Sequence, residues 1–411
     1  MRRSFLLALL LAVAGHSGPA ASAAERVQPG ATVESVVALA RRLSPELRAS
    51  ILEADAASQR VGAAGVQPDP TFTLQAWDVN SKGVGQTWIG AEQTLRLWGK
   101  TDLEKGIAHA DADAARRQSE ATEVDLVARV KAAYAQYSAA QRALELSKSL
   151  QQRVDQLVEL LRLRYGASSV DQQEVIKAEL EAANAAADVA RREGEAKSAG
   201  ARLNALIGRD ARTPLAPAKG FRPLRAKMTL AGVQERARSS NPLLAATQAQ
   251  VRSATGTKAL TDLNYYPDVT VGANLVQPRN GETSGMFLLG VKVPLQYEAK
   301  DAEQRAARAS LGAAQARSDA LRIRLDGEVA EAWYRLEAIR KAIKIFEQRQ
   351  LPPAKLSVET ARSGFDAGTT PLATLLESER RQRAVELELL ALRVEEQSKY
   401  ADLERLAGGA L

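Results

Sequence analysis

The chain has 411 residues, of which 45% are hydrophobic but only 4% aromatic, and its formal net charge is +7. It contains no cysteine, which excludes disulfides, thiolate metal sites and a lipid-modified N-terminal cysteine. The charge is mild for this length and gives no reason to expect a nucleic-acid partner. An apolar content made mostly of Ala, Leu and Val is typical of long packed helices.

The first residues have the pattern of a secretory signal peptide. Arg2 and Arg3 precede an apolar stretch from Phe5 to Ala14, and Ala21-Ser22-Ala23 offers small residues to a signal peptidase. The apolar stretch is much shorter than the roughly 20 residues that a membrane helix needs. We therefore predict that residues 1–23 are a cleaved signal and that the mature protein is exported without a lipid anchor.

The remaining sequence contains one pattern twice, about 200 residues apart. Thr32 aligns with Thr229, and after a small shift Gly208 aligns with Gly408. This self-similarity predicts two structural repeats, residues 24–228 and residues 229–411. Each repeat is expected to contain a helix, a β-hairpin, a long helix and a return helix.

The first repeat opens with a predicted helix over 32–66, followed by a hairpin at about 70–97. Phe72, Leu74 and Ala76 alternate with polar residues, and after a turn the second strand is predicted over 86–97. About ten tilted residues can cross a bilayer as a β-strand. A lone hairpin cannot do so, because its edges would leave backbone groups unpaired in lipid.

The second repeat opens with a predicted helix over 229–264 and has its hairpin at about 267–295. A turn rich in Pro, Asn and Gly, 278–285, separates two arms of about ten residues. The apolar positions of these arms alternate with polar or small ones, and they are Val269, Val271, Ala273, Leu275, Phe287, Leu289, Val291, Val293 and Leu295.

The long helices are predicted from Thr101 to about Tyr165 and from Asp301 to about Phe365. Each would be about 98 Å long at 1.5 Å per residue, which is too long for a compact domain. Apolar residues recur in steps of four and three, which is typical of coiled coils, and Pro352-Pro353 predicts a kink in the second copy only. Return helices follow over 171–207 and 371–407. The seam residues are Leu126, Val130, Ala133, Tyr137, Ala140 and Leu144 in the first copy, and Leu325, Val329, Ala332, Leu336, Ile339, Ile343 and Phe346 in the second.

The number of strands predicts an oligomer. One chain supplies four strands, whereas a closed membrane barrel has at least about eight. Two chains would give an eight-stranded barrel, which its own side chains fill, while three chains leave an open lumen. We therefore expect a mainly helical protein with a small β part, in which three chains form a continuous α-barrel and β-barrel.

Four aromatic residues flank the predicted strands at their helix-facing ends. Trp98 follows the second strand, Tyr265 and Tyr266 precede the third, and Tyr297 follows the fourth. Such positions are typical of membrane-interface belts. The alternative is that these rings only pack the junctions between strands and helices.

These features together resemble the TolC-like outer-membrane efflux family over the whole mature chain. Val66–Pro70 is similar to its proline-rich entry into the hairpin, and Leu206-Ile207-Gly208 to its helix ending. The turns between long and return helices also resemble the family pattern of an aromatic residue, a glycine, a Ser or Thr and an acid. The matching positions are Tyr165, Ser168, Asp171 and Glu174 in the first repeat, and Phe365, Gly368, Thr370, Thr374 and Glu377 in the second.

In the resembling fold these turns form the periplasmic end of the tunnel, where it narrows and meets an adaptor protein. Ser168 stands in place of the glycine and Thr374 in place of the acid, with Glu377 supplying a carboxylate three residues later. Three copies of Glu174 and of Glu377 would form negative rings that favour cations. The alternative is that an acid near a helix start only complements the helix dipole.

The sequence offers no enzymatic constellation. His109 is the only histidine after the signal, and with no cysteine and few methionines neither a catalytic base nor a soft-metal site is expected. No cofactor is predicted. The charged run 379–381 has the pattern of a solvated helix face.

The resemblance implies a passive outer-membrane exit duct that works with a periplasmic adaptor and an inner-membrane pump, which we expect to be of the proton-driven resistance-nodulation-division type. Trp98-Gly99-Lys100 and Leu351-Pro352 are most similar to the heavy-metal (CzcC-like) branch, so metal cations are the expected cargo. Drug or organic-solvent export is the near alternative. A periplasmic coiled-coil adaptor or envelope spacer is an alternative of another class.

Overall fold

The computed structural model describes residues 30–81, 83–224 and 228–411, so the predicted signal peptide lies outside the described residues. Long helices dominate this part of the chain, and a single four-stranded sheet lies at one end of the helices. The helices are α1 (Val33–Leu43), α2 (Pro45–Ala63), α3 (Lys100–Gly166), α4 (Gln172–Ile207), α5 (Leu230–Ser240), α6 (Pro242–Asp262), α7 (Tyr297–Ile345), α8 (Leu351–Asp366) and α9 (Leu372–Leu406), and the strands are β1 (Thr71–Asn80), β2 (Gly83–Leu95), β3 (Asp268–Pro278) and β4 (Ser284–Lys292). Within these ranges, none of the helices has the length and apolarity to cross a membrane.

The opening helix of each repeat is broken in two, so the prediction of single helices over 32–66 and 229–264 was wrong. The breaks lie at Ser44 and Asn241, each directly before a proline that must sit in the first turn of a new helix. Both residues are extended, and their side chains accept hydrogen bonds from backbone N–H groups of the helix that follows. A residue before proline disfavours the helical conformation, so the chain stops and restarts there.

The long helices are confirmed. α3 runs without interruption for 67 residues. Its counterpart α7 passes into α8 through a π-helical turn, Phe346–Gln350, immediately before Leu351 and the two prolines. Because proline has no N–H to donate, the helix accommodates the pair with a wider turn instead of breaking.

The seams lie where the pattern predicted. From Leu325 to Ile343 every predicted position on α7 is buried, and Phe346 is partly buried. On α3 the first four predicted positions are buried, whereas Ala140 and Leu144 are partly exposed. α3 packs on α2 and α4 of its own repeat and on α6 of the second, and α7 packs on α6 and α9, so the long helices hold the other helices together.

The four strands form one antiparallel sheet in the order β1-β2-β3-β4, so β2 and β3 join the two hairpins. β2 starts three residues earlier than predicted, and β4 stops at Lys292 rather than continuing through Leu295. β4 ends early because Pro294 has no backbone N–H to donate to the neighbouring strand.

The two faces of the sheet differ in chemistry. Directly paired residues of an antiparallel sheet share a face, and the register places Val271 between Gln93 and Leu289. Phe287 on the same face is 91% exposed. The apolar members of this face are Phe72, Leu74, Ile89, Leu95, Val269, Val271, Leu275, Phe287, Leu289 and Val291. The opposite face, which we call the polar face, carries Thr71, Thr73, Gln75, Glu92, Thr94, Thr270 and Asn274 together with the larger side chains of Trp77, Trp88, Val276, Met286 and Leu288.

Candidate functional site

The two turns between long and return helices lie together at the end of the molecule away from the sheet, which we call the tip. The ends of α3, α4, α8 and α9 share one hydrophobic core there. The structure therefore brings together the two turns that the sequence singled out 200 residues apart. The core consists of Val158, Leu161, Val175, Ala178, Ala361, Phe365, Leu372, Leu375 and Leu376.

The backbone of the two turns is nearly the same. Gly368 has a φ of 75° and Ser168 a φ of 59°, so both adopt the left-handed conformation that ends a helix. In each turn the next N–H bonds back to a carbonyl five residues earlier, Ser169 to Arg164 and Thr369 to Gly364, both at 2.8 Å. The serine that replaces the usual glycine thus adopts the same turn despite its Cβ.

The two aromatic residues of the turns have different roles. Phe365 is 5% exposed within the tip core, and the guanidinium carbon of Arg164 lies 5.3 Å from its ring centroid. Tyr165, its counterpart, is 47% exposed. Phe365 therefore stabilises the tip, whereas the Tyr165 ring is available for contact with another chain.

The polar candidates of the turns surround the two helix starts. Asp171 is the N-cap residue of α4 and Glu174 lies in the first turn of that helix. Thr370 and Thr374 use their backbone N–H groups to close the second turn. Glu377 is exposed, lies beyond the first turn of α9, and has no ion pair within 4 Å in the described part of the chain. The helix-dipole explanation therefore fits Glu174 better than Glu377.

An ion pair that sequence patterns did not indicate joins the return helices. Arg380 donates from Nε to Glu181 Oε1 at 2.9 Å, and Glu181 is buried. The hydrogen bond from Arg380 lowers the pKa of Glu181 against the effect of burial. The neighbouring Glu379 pairs with Arg153 at 3.0 Å. The run 379–381 is therefore not a purely solvated face, because two of its members link helices that are distant in sequence.

A second buried cluster lies where the segment 209–224 between α4 and α5, which we call the connector, crosses the helices. Glu404 on α9 is 5% exposed and accepts from Lys131 at 2.8 Å and from Arg222 at 2.8 and 3.1 Å. Arg222 belongs to the connector, and its guanidinium carbon lies 5.1 Å from the Tyr400 ring centroid. Burial lowers the pKa of Lys131, while the hydrogen bond to Glu404 opposes this shift.

The four predicted interface aromatics lie at the helix-facing end of the sheet, in two pairs. Trp98 donates from Nε1 to the Pro267 carbonyl at 2.8 Å, and its ring centroid is 5.5 Å from that of Tyr266. Tyr265 and Tyr297 stack with their centroids 6.5 Å apart. Three of these rings are about half exposed, and all four also pack the junctions between strands and helices.

Lys100 stabilises the junction between the sheet and the helices. Its ammonium group is buried and donates to the Tyr266 carbonyl at 2.9 Å and to Asp268 at 2.7 Å. These bonds connect the start of α3 in the first repeat with the start of β3 in the second. The junction therefore holds the two hairpins of one chain in a single sheet. In the part of the chain that is described, no group of three or more His, Cys, Asp or Glu could hold a metal ion.

A sheet with one apolar face, continued by helices of up to 67 residues that end in a packed tip, has the architecture of an outer-membrane channel with a long helical tunnel. The family model described as "Outer membrane efflux protein" matches residues 36–209 and 233–409. The chain belongs to this family.

Individual relatives support the same assignment. The cobalt-zinc-cadmium resistance protein CzcC of Cupriavidus metallidurans is 24% identical over 351 residues, which cover 85% of this chain and 83% of CzcC. The crystal structure of CusC matches with a TM-score of 0.81 at 17% identity, covering 92% of both chains. The outer membrane protein VceC of Vibrio cholerae matches with a TM-score of 0.77 at 18% identity, covering 92% of this chain and 96% of VceC.

Membership of the family shows where the two parts of the fold lie in the cell envelope. The family consists of efflux channels rather than of a class of enzymes, and its members form trimers that work with an adaptor and an inner-membrane pump. The sheet accordingly belongs to the outer membrane and the helical part to the periplasm. The strand turns then face the outside of the cell.

Proposed function

We propose that this protein is a passive, homotrimeric exit duct for metal cations, without catalytic activity of its own, and that it is served by a proton-driven pump of the resistance-nodulation-division type. The sheet is the observation that supports the proposed duct. Its apolar face suits lipid, while its outer strands, β1 and β4, each pair on one side only within the described chain. Three copies would satisfy these edges by forming a closed barrel of twelve strands.

The helices support the same assembly. α3 of the first repeat packs on α6 and α9 of the second, whereas α7 has no comparable packing on α2 or α4 within the described chain. Repetition of one interface around a ring would place the α7 of one copy on the first repeat of the next. The surfaces that this contact would cover carry exposed apolar side chains, namely Ile323, Tyr334 and Ile345 on α7 and Ile51 and Leu52 on α2.

The lipid side of the sheet can be tested by a pair of substitutions. A charge introduced as Val271→Arg would lie on the apolar face, and near the bilayer centre it should cost about 2–4 kcal/mol. Thr270→Arg, on the polar face of the same strand, is the matched control. Heat-resistant trimers extracted from outer membranes should disappear only for the first variant. Equal assembly of both variants would mean that the apolar face does not meet lipid.

The tip is the proposed contact with the adaptor. A groove of about 230 Å³ lies between α3, α8 and α9, with Leu157, Leu160 and Phe365 in its wall and Arg362 and Asp366 among its charged residues. Near this groove, large apolar side chains are exposed on α3 and α4, namely Leu163, Ile176 and Leu180. Exposed apolar area of this kind marks a surface that binds another protein.

Glu377 and Glu174 are the proposed cation-selective residues of the tip. In planar bilayers the mature protein should conduct, and Glu377→Ala should lower the preference for cations over anions because one ring of carboxylates is lost. Glu388→Ala is the matched control, since this residue is also exposed on α9 but lies about three turns farther from the tip. Unchanged selectivity in Glu377→Ala would refute the ring.

The proposed cargo rests on CzcC, whose name states resistance to cobalt, zinc and cadmium. Deletion of the gene should reduce growth in zinc, cobalt or cadmium salts, and normal tolerance would contradict a metal cargo. Organic solutes are the second candidate, because two neighbouring indoles lie on the polar face of the sheet and that of Trp77 is exposed.

A further inference from the structure

Two tryptophans occupy an unexpected position in the sheet. Trp77 on β1 pairs with Gln86, and Trp88 on β2 pairs with Gln75, so both indoles lie on the polar face with Thr73 and not on the apolar face. Their ring centroids are 6.1 Å apart and the rings are inclined by 42°. Each indole N–H donates to a glutamine oxygen at 3.3 Å, Trp77 to Gln75 and Trp88 to Gln86.

The pair lies close to the outer end of the sheet. Trp77 is three residues before the end of β1, which places it within about 10 Å of the strand turn. Since the apolar face suits lipid, the polar face lines the lumen of the proposed barrel. Trp77 is 55% exposed, so its ring surface is open to that lumen.

The row of the proposed lumen wall next to the pair includes a glycine. One pair of residues inward from Trp88 is Gly90, where an added Cβ would lie 1.6 Å from the Asn274 side-chain oxygen. Thr73, Asn274 and Met286 complete this row, and the Asn274 side chain occupies the space that the glycine leaves.

The same wall carries a negative charge. Glu92 lies on the polar face of β2, four residues and about 13 Å inward from Trp88. A carboxylate in a water-filled passage raises the local concentration of cations. Tryptophan is the aromatic side chain that binds a cation most strongly over its ring face.

We propose that Trp77 and Trp88 form an aromatic collar, three copies of which bind organic ammonium cations in the lumen near the outer mouth. The inclined ring faces would contact the apolar groups of the ammonium ion, and Glu92 would draw the cation into this segment. A hydrated metal ion presents water to the rings and gains little from them, so the collar distinguishes organic cations from metal ions. This inference rests on the duct proposed above.

The experiment measures block of single-channel current in planar bilayers containing the full mature protein. Tetraethylammonium chloride, added on the side of the strand turns, should reduce the current more than the same concentration of sodium chloride. Trp77→Leu and Trp88→Leu keep apolar bulk but remove the ring, and each should weaken the block about two- to fivefold. Phe72→Leu, an aromatic change on the opposite face of β1, is the matched control and should leave the block unchanged. Trp77→Phe should restore part of it.

A comparison of choline with its neutral isostere 3,3-dimethylbutan-1-ol tests the need for charge. Block by choline alone supports the collar, whereas equal block by the neutral compound would overturn the assignment to cations. Equal tetraethylammonium block in the parent protein and the double leucine variant would overturn the collar while leaving the duct intact. Absence of any conductance in the parent protein would overturn both.

Discussion

Removal of one buried carboxylate should release the connector between the two repeats. Glu404→Ala would leave Lys131 and Arg222 facing each other without a counterion, with side chains only 13% and 12% exposed. Removing one partner of a buried ion pair costs about 3–5 kcal/mol. Since 1.4 kcal/mol is a factor of ten, opening of the connector should become roughly two to four orders of magnitude more frequent.

Lys131 decides where in this range the effect falls. Its pKa is already lowered by burial and is supported by Glu404, so in the alanine variant the ammonium group can lose its proton. The neutral amine would no longer repel Arg222, and the defect should therefore be smaller at high pH than at neutral pH. Glu404→Gln, which keeps the shape and an acceptor oxygen, should show an intermediate effect.

Hydrogen exchange of the detergent-solubilised protein measures this opening directly. Backbone amides between residues 209 and 224 should exchange faster in Glu404→Ala, while amides at the tip should keep their parent rates. Glu377→Ala, a change to an exposed carboxylate on the same helix, is the control. An increase of less than tenfold in the connector would refute the argument that this ion cluster holds it in place.

Three further predictions concern the tip. Ser168→Gly should stabilise the protein by about 1 kcal/mol and Gly368→Ala should destabilise it by about 1–2 kcal/mol, because both positions have the left-handed backbone conformation. The unfolding temperatures of the two variants should therefore shift in opposite directions, and shifts of the same sign would contradict the prediction. Phe365→Ala removes a buried ring from the tip core and should lower the free energy of unfolding by about 3–5 kcal/mol. Backbone amides near that turn should then lose protection from hydrogen exchange, and protection equal to that of the parent protein would disprove the prediction. Arg380 lowers the pKa of Glu181, so the contribution of this carboxylate to stability is present above its unfolded pKa of about 4.3 and is lost as the pH falls through the lower folded value. Acid unfolding of Glu181→Gln should lack this loss of stability. An acid unfolding profile identical to that of the parent protein would exclude a stabilising role for the ion pair.

Much of the fold follows from local patterns in the sequence. Helix periodicity located the long helices and their seams, and alternation identified which face of β3 is apolar, because both patterns depend only on near neighbours in the chain. The breaks at Ser44 and Asn241 are also encoded locally, because a capping residue followed by a proline is a helix-start signal.

Other features could not be obtained from spacing. The bond between Glu181 and Arg380 joins residues 199 positions apart, and that between Lys131 and Glu404 joins residues 273 apart. Nothing in a charged helix pattern distinguishes such partners from solvated residues, since the distinction depends on which helices pack together. Likewise, only the strand register shows that Trp77 lies on the polar face, although the sequence already predicts that the residue belongs to a strand.

The connector shows how two equivalent repeats come to differ. Asn204 in the first repeat and Glu404 in the second occupy matching positions near the ends of α4 and α9, and both bind the connector. Asn204 donates to the Thr213 carbonyl at 2.7 Å, whereas Glu404 accepts from Arg222. A neutral amide suits a backbone carbonyl and a carboxylate suits a guanidinium, so each repeat is matched to a different part of one segment.

The same segment accounts for a difference between equivalent tyrosines. Tyr134 is 3% exposed and donates to the Ala31 carbonyl, and the connector covers this region because Lys219 N–H donates to the same carbonyl at 2.9 Å. Tyr334, at the matching position of the second repeat, is 61% exposed within the described chain. Where the connector does not cover the second repeat, an aromatic side chain on α7 therefore remains exposed. In the proposed trimer this exposed side of α7 would be free to contact a neighbouring copy.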